Sequence, residues 1–127
     1  MLLTNAEWKL MNALWKGSPA AAREIEQRLH PDTRWAYTTI KTMLARLVAK
    51  GAVSEHKRGN LSFYEPVLTR RRARSTALKL LMENAFEGAF GPLMHFLLDE
   101  EKLSASERRH LGALLEAEPK NRRQTSE

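Results

Sequence analysis

Thr39-Ile40-Lys41-Thr42-Met43-Leu44-Ala45-Arg46-Leu47-Val48-Ala49-Lys50-Gly51 is the stretch that decides how this chain folds. Ile40, Met43, Leu44, Leu47 and Val48 recur at helical spacing and form one buried stripe. The other face presents Thr38, Lys41, Thr42 and Ala45, with Arg46 and Lys50 further along, and carries no carboxylate. A helix that buries one stripe and offers hydroxyls and cations on the other is shaped to meet a polyanion. It has the character of a recognition helix for duplex DNA.

The residues before this helix supply two more. Thr4 and Glu7 have the spacing of a capping box, in which hydroxyl and carboxylate satisfy each other's backbone amides. Trp8, Met11, Leu14 and Trp15 follow at helical spacing until Gly17, and Pro19 lies in the turn. A second, shorter helix is predicted from about Ala22 to Leu29, burying Ile25 and Leu29. His30-Pro31-Asp32 ends it, because a proline disfavours helical backbone in the residue before it.

After Gly51 the period changes. Ala52–His56 and Leu61–Glu65 read as short strands separated by Lys57-Arg58-Gly59-Asn60, with Gly-Asn as the hairpin signal. Lys57 and Arg58 then fall at or beside the tip. Three short helices followed by a basic-tipped hairpin make a winged helix-turn-helix.

Beyond Pro66, Thr69–Glu87 is predicted helical, with Leu78, Leu81, Met82, Ala85 and Phe86 along one side. Gly88 and Gly91 punctuate it. A fifth helix is expected from about Pro92 to Glu100 with Leu93, Phe96 and Leu97, and Pro92 at its start. Ser104 and Glu107 form a second capping box, opening a helix with Leu111, Leu114 and Leu115. These three segments have wide apolar faces and little of their own chain to cover them. The usual solution is a second subunit, with a monomer that folds them back on itself as the alternative, so Leu78, Leu81, Met82, Phe86, Leu93, Phe96, Leu97, Leu111, Leu114 and Leu115 are the expected homodimer interface. The expected architecture is therefore mainly α. Residues 1–68 form a winged-helix DNA-binding domain with a short β-hairpin wing, 69–118 a helical dimerisation domain, and 119–127 a disordered tail.

Composition agrees with that division. The chain of 127 residues has net charge +6, but residues 1–80 carry 15 lysines and arginines against 6 carboxylates, and residues 81–127 carry 6 against 9. The basic front is suited to an anion, and the acidic back to something else. With no cysteine, neither a disulfide framework, a thiolate metal site nor a cysteine nucleophile is available. No apolar secretory stretch or membrane-length run is visible, so a cytoplasmic protein without a membrane partner is expected. His30, His56, His95 and His110 lack metal-ligand spacing, and His95 with Asp99 one turn on reads as an ordinary pair. There is no phosphate-cradling glycine loop and no serine elbow. Neither an enzyme nor a cofactor is expected.

The chain resembles the penicillinase-repressor (BlaI/MecI-type) family of bacterial regulators. Ala6-Glu7-Trp8, Met11 and Leu14-Trp15 match the family's opening, and Arg23-Glu24-Ile25 its second helix. Trp35, Thr39-Ile40, Thr42, Leu44, Arg46-Leu47 and Lys50-Gly51 match its recognition helix. Tyr64 and Pro66 match the end of its wing, and Phe90, Leu93, Phe96 and Leu103-Ser104 its dimerisation region. The similarity runs over nearly all of residues 3–117. It implies a winged-helix homodimer that binds palindromic operators in double-stranded DNA and blocks transcription. The alternative is a winged-helix protein-interaction module, which carboxylates on the third helix or the wing would have favoured.

Thr38, Thr39, Lys41 and Thr42 lie near the N-terminal end of the recognition helix, the part that reaches base edges in this docking mode. Lysine donates to guanine acceptors, and threonine offers a hydroxyl and a methyl for thymine. For Thr39, packing or capping weighs equally with base contact. Tyr37, Arg46, Lys50, Lys57, Arg58 and Arg71 are the candidate contacts to the DNA backbone. Arg46 has an intrachain ion pair as its alternative, the wing cations a solvated turn, and Arg71 a solvated charge run. Trp8 and Trp15 belong to the core by their spacing rather than to a stacking platform, and Trp35 is placed to buttress the turn.

Several positions depart from the family. Arg70, Arg71, Arg72 and Arg74 put cations at a helix N-terminus, against its dipole. Tyr37 stands where relatives often have proline, and Ala36 where they have a capping serine. The cysteine cluster of copper-responsive relatives is missing. His95-Phe96 replaces the Asn-Phe pair cleaved in antibiotic-responsive relatives, which puts β-lactam-triggered proteolysis in doubt and leaves any regulatory protease unassigned.

Overall fold

The structure is a computed structural model that describes residues 1–99 and 103–117. The expected tail at 119–127 lies outside them. The described chain forms two compact units, one spanning residues 1–80 and the other starting at Leu81.

In the first unit, α1 spans Asn5–Lys16 and opens on the expected reciprocal cap. Thr4 Oγ1 accepts from the Glu7 amide at 3.2 Å, and Glu7 Oε1 accepts from the Thr4 amide at 2.9 Å. A short strand β1 (Ala20–Ala21) leads into α2 (Ala22–Leu29), where Glu24 accepts from the Ala21 amide at 3.0 Å. The recognition helix α3 spans Tyr37–Lys50 and ends on Gly51 at φ 84°. That left-handed position lets the Ala52 amide reach back to the Leu47 carbonyl at 2.9 Å, and glycine occupies it without a Cβ penalty.

The hairpin consists of β2 (Val53–Arg58) and β3 (Leu61–Pro66), paired antiparallel from Val53↔Pro66 to Arg58↔Leu61. Strand β2 starts one residue later and runs two residues further than expected, so Lys57 and Arg58 lie in the ladder, and the turn is Gly59-Asn60 alone. Only Gly59 takes a positive φ (62°), the pattern of a II′ turn with glycine first. Strand β1 pairs with the far side of β3 (Ala20↔Tyr64, Ala21↔Phe63), giving a three-stranded sheet in the order β1-β3-β2. The wing is therefore anchored to the turn between α1 and α2.

The core of this unit is formed by Leu10, Met11 and Leu14 of α1, Ile25 of α2, and Ile40, Leu44 and Leu47 of α3, all fully buried. Each such side chain contributes about 1.5–3 kcal/mol of burial. Trp8 and Trp15 meet edge-on with ring centres 6.0 Å apart and pack against this core, as their spacing predicts. Trp15 Nε1 also donates to the Leu68 carbonyl at 3.0 Å. Trp35 packs against the same core and carries Lys9 Nζ 5.9 Å above its ring.

Helix α4 spans Arg70–Ala85, and its first turn is capped by Thr69 Oγ1 accepting from the Arg72 amide at 3.1 Å. Ala73 is buried with the winged-helix core, so the first turns of α4 belong to the first unit.

In the second unit the chain turns out of α4 through Glu87 and Gly88, both at positive φ, with the Gly88 amide donating to the Met82 carbonyl at 2.8 Å. Helix α5 spans Phe90–Asp99, starting two residues before the expected Pro92. Proline is accepted there because first-turn amides have no intrahelical partner to lose. Helix α6 spans Ala105–Ala117, opened by the expected Ser104–Glu107 capping box with bonds of 3.1 and 2.9 Å. Among the described residues no helix is long and apolar enough to cross a membrane.

Candidate nucleic-acid interface

Helix α3 presents Thr38, Thr39, Lys41, Thr42, Ala45 and Arg46 as an exposed face, held by the buried stripe behind it. Thr39 is exposed and makes no capping bond; the N-cap is Ala36, which has no side chain able to do so. Packing and capping are therefore not what Thr39 does here. Thr42 Oγ1 donates to the Thr38 carbonyl at 2.9 Å. Its proton is engaged within the helix, which leaves lone pairs and a methyl facing outward. Arg46 has no carboxylate partner among the described residues, so the intrachain alternative falls away.

Lys50 is different. Its Nζ lies 2.7 and 2.9 Å from the two Glu7 carboxylate oxygens and 3.3 Å from the Leu2 carbonyl. Lys50 joins the end of α3 to the first turn of α1, so this expected backbone-contacting cation is paired with a carboxylate of its own chain. Burial pushes the Glu7 carboxyl up, but the Lys50 ammonium and the bonds from Thr4 outweigh it and hold the group below its ordinary range. The α3 cation that the sequence placed beside Arg46 is thus spent on holding the fold together.

The wing brings Lys57 and Arg58, both exposed, to the end of β2 beside the Gly59-Asn60 turn. At the start of α4, Arg70 covers Trp15 with its guanidinium 5.5 Å from the ring, and its Nε is buried without a partner. Arg70 is thus a packing residue, while Arg71, Arg72 and Arg74 remain exposed.

Sequence reasoning missed Arg23. Its guanidinium carbon lies 3.8 Å from the centre of the Tyr37 ring, and Lys41 Nζ lies 5.9 Å from the same ring. The three residues line one small cleft with the wing residues Asn60 and Ser62. The only sequence signal was Tyr37 itself, standing in place of a proline.

On the second unit, Met82 is buried within its own chain, which corrects its expected place on an intersubunit surface. Leu81 is 48% exposed and Phe96 46%; Leu78 of the first unit is also exposed. Leu93, Leu97 and Phe86 are half-buried, with the Phe86 and Phe96 rings 6.4 Å apart. The side chains of Leu111, Leu114 and Leu115 lie outside the described residues. His95 and Asp99 form an exposed pair at 2.7 Å.

The penicillinase-repressor family model matches residues 3–117. The chain belongs to the penicillinase-repressor family. That family consists of transcriptional repressors rather than enzymes. The chain is 30% identical over 121 residues to the penicillinase repressor of Bacillus licheniformis, covering 95% of this chain and 94% of that protein. It is 26% identical to the methicillin resistance regulatory protein MecI of Staphylococcus aureus, covering 89% and 92%. The solution structure of the DNA-binding domain of the repressor BlaI matches with TM-score 0.50 and 34% identity, over 55% of this chain and 85% of that one. The monomeric form of Bacillus licheniformis BlaI in complex with the blaP half-operator matches with TM-score 0.50 and 33% identity, over 57% and 88%. These likenesses support the winged-helix architecture expected from the sequence.

Proposed function

We propose that this protein is a transcriptional repressor that binds palindromic operators in duplex DNA as a homodimer. Helix α3 enters the major groove with Thr38, Thr39, Lys41 and Thr42 at base edges. Tyr37 and Arg46, with Lys57 and Arg58 of the wing, lie along the backbone or minor groove, and Arg71 adds a phosphate contact at the start of α4. The observation that carries this reading is the exposed, carboxylate-free face of α3, in a family whose member BlaI has been solved on a half-operator. An acid on that face would repel phosphate, and none is there. The second subunit is proposed because Leu78, Leu81, Phe90 and Phe96 leave large apolar area exposed on each chain. A dimer also fixes two recognition helices at the spacing of successive half-sites, about 34–36 Å.

The test is fluorescence anisotropy on duplexes tiling the DNA upstream of the protein's own gene, against scrambled duplexes of the same composition. The expected result is selective binding of one dimer per site. Affinity should fall by about 10³–10⁵ between 50 and 200 mM salt as bound counterions are released. Equal binding to every duplex would reduce the protein to a nonspecific cation. No binding at low salt would overturn the reading and put a protein-interaction module in its place.

A further inference from the structure

Tyr37 occupies the first turn of α3, Lys41 sits one helical turn further along the same helix, and Arg23 lies in the first turn of α2. The Arg23 side chain is 68% exposed, yet its guanidinium is stacked 3.8 Å from the Tyr37 ring centre rather than extended into solvent. Glu26 takes one nitrogen of the fork at 3.3 Å, and the rest of the fork is free among the described residues. Beside this stack lies a cleft of about 70 Å³ lined by Arg23, Tyr37, Lys41, Asn60, Ser62 and Tyr64. The planar fork of Arg23 on one side and the wing's amide and hydroxyl on the other are donors that suit the oxygens of a single phosphodiester.

We infer that the Tyr37 ring is a positioning platform that aims Arg23 at one DNA phosphate between α2 and the wing, making Arg23 a backbone contact of this protein. The inference rests on the DNA-binding reading above and deepens it. A guanidinium resting on an aromatic face is attracted by the ring quadrupole and keeps its N–H edge available, so its fork is pre-oriented before DNA arrives. A proline at position 37 supplies no such face. Tyr37 therefore acts through Arg23, alongside the backbone contact proposed for it above, and is not a base reader. Because a phosphate is the same beside every base pair, the contact strengthens binding without selecting sequence.

The experiment compares wild type with Arg23→Ala, Tyr37→Leu, Tyr37→Phe and the Arg23→Ala/Tyr37→Leu pair, each on the tightest upstream duplex and on its scrambled counterpart. Arg23 is exposed, so Arg23→Ala keeps the test alive if Tyr37→Leu fails to fold. Arg23→Ala and Tyr37→Leu should each weaken binding about three- to tenfold on both duplexes and lower the salt slope by about one per engaged protomer. Tyr37→Phe keeps the ring and should recover part of the affinity and salt slope that Tyr37→Leu loses, and the double variant should be no worse than Tyr37→Leu alone. Unchanged affinity in Arg23→Ala overturns the inference, as does a loss confined to the selective duplex, which would make Tyr37 a base reader. A Tyr37→Phe as weak as Tyr37→Leu would assign the role to the hydroxyl and overturn it too. Wild type that binds both duplexes equally while the variants still lose affinity would defeat the operator reading and leave this inference standing. Wild type that binds neither duplex at low salt defeats both.

Discussion

The two units of this chain have similar apolar content on paper and very different use for it. Residues 1–80 bury seven large side chains completely, drawn from all three helices before the wing. From Leu81 onward, Met82 is the one large side chain among the described residues that is buried, and α5, the most apolar helix, buries none. The first unit solves its burial problem within one chain. The second leaves Leu81, Phe90, Phe96 and Leu98 exposed, the surface that the proposed second copy would cover. Apolar periodicity therefore reports that a helix will be covered, not by which molecule.

The sharpest way to break this comparison is to make the same kind of change in each unit. Leu44→Ala removes a fully buried side chain at the crossing of α3 with the core. It should cost about 2–5 kcal/mol, measured by chemical denaturation. Leu81→Glu should leave the winged-helix transition nearly unchanged while shifting sedimentation from dimer to monomer and weakening operator binding. A Leu81→Glu protein that sediments like wild type would remove the second subunit from the proposal. The next effect in size concerns the clasp between Glu7 and Lys50. The Glu7 carboxyl titrates below its ordinary value of 4.5 in the folded chain. It therefore contributes stability that is complete above that value and drains away as pH falls through the lower, folded one. Glu7→Gln should cost about 1 kcal/mol at neutral pH, discounted for the partly exposed lysine, and flatten the acid limb of the stability profile. The smallest expected effect is a gain. Ala36→Ser restores a side-chain acceptor at the uncapped start of α3 and should add about 0.5–1 kcal/mol, visible as a higher Tm.

Most of the first unit could be read in advance because its signals are local. The Thr4–Glu7 box, the stripe ending at Leu47, Gly51 and the Gly59-Asn60 turn each act within a few residues. What escaped the reading was set by partners distant in sequence. Ala20 and Ala21 have no strand propensity, and their pairing with β3 is imposed by tertiary packing. Lys50 looks like any helix-terminal cation until Glu7, 43 positions earlier, is placed beside it. Arg23 and Tyr37 sit on different helices, and only the fold stacks them. In the second unit the helices themselves were legible from their caps. The burial of Met82 was not, since it shares its stripe with exposed Leu78 and Leu81.

The bond from Trp15 Nε1 to the Leu68 carbonyl closes a loop of 53 residues, and it has a consequence for where the chain can be divided. Between them these two residues enclose α2, α3 and the whole wing, so the winged helix is fastened like a drawstring bag rather than strung as beads. Ala73, just past the fastening, is buried with it. A fragment ended at the last wing strand would keep every residue of α3 yet lose the tie, the cover Arg70 gives to Trp15 and the plug at Ala73. The ties that close the winged helix therefore extend beyond its recognition machinery, into the first turn of the helix that follows.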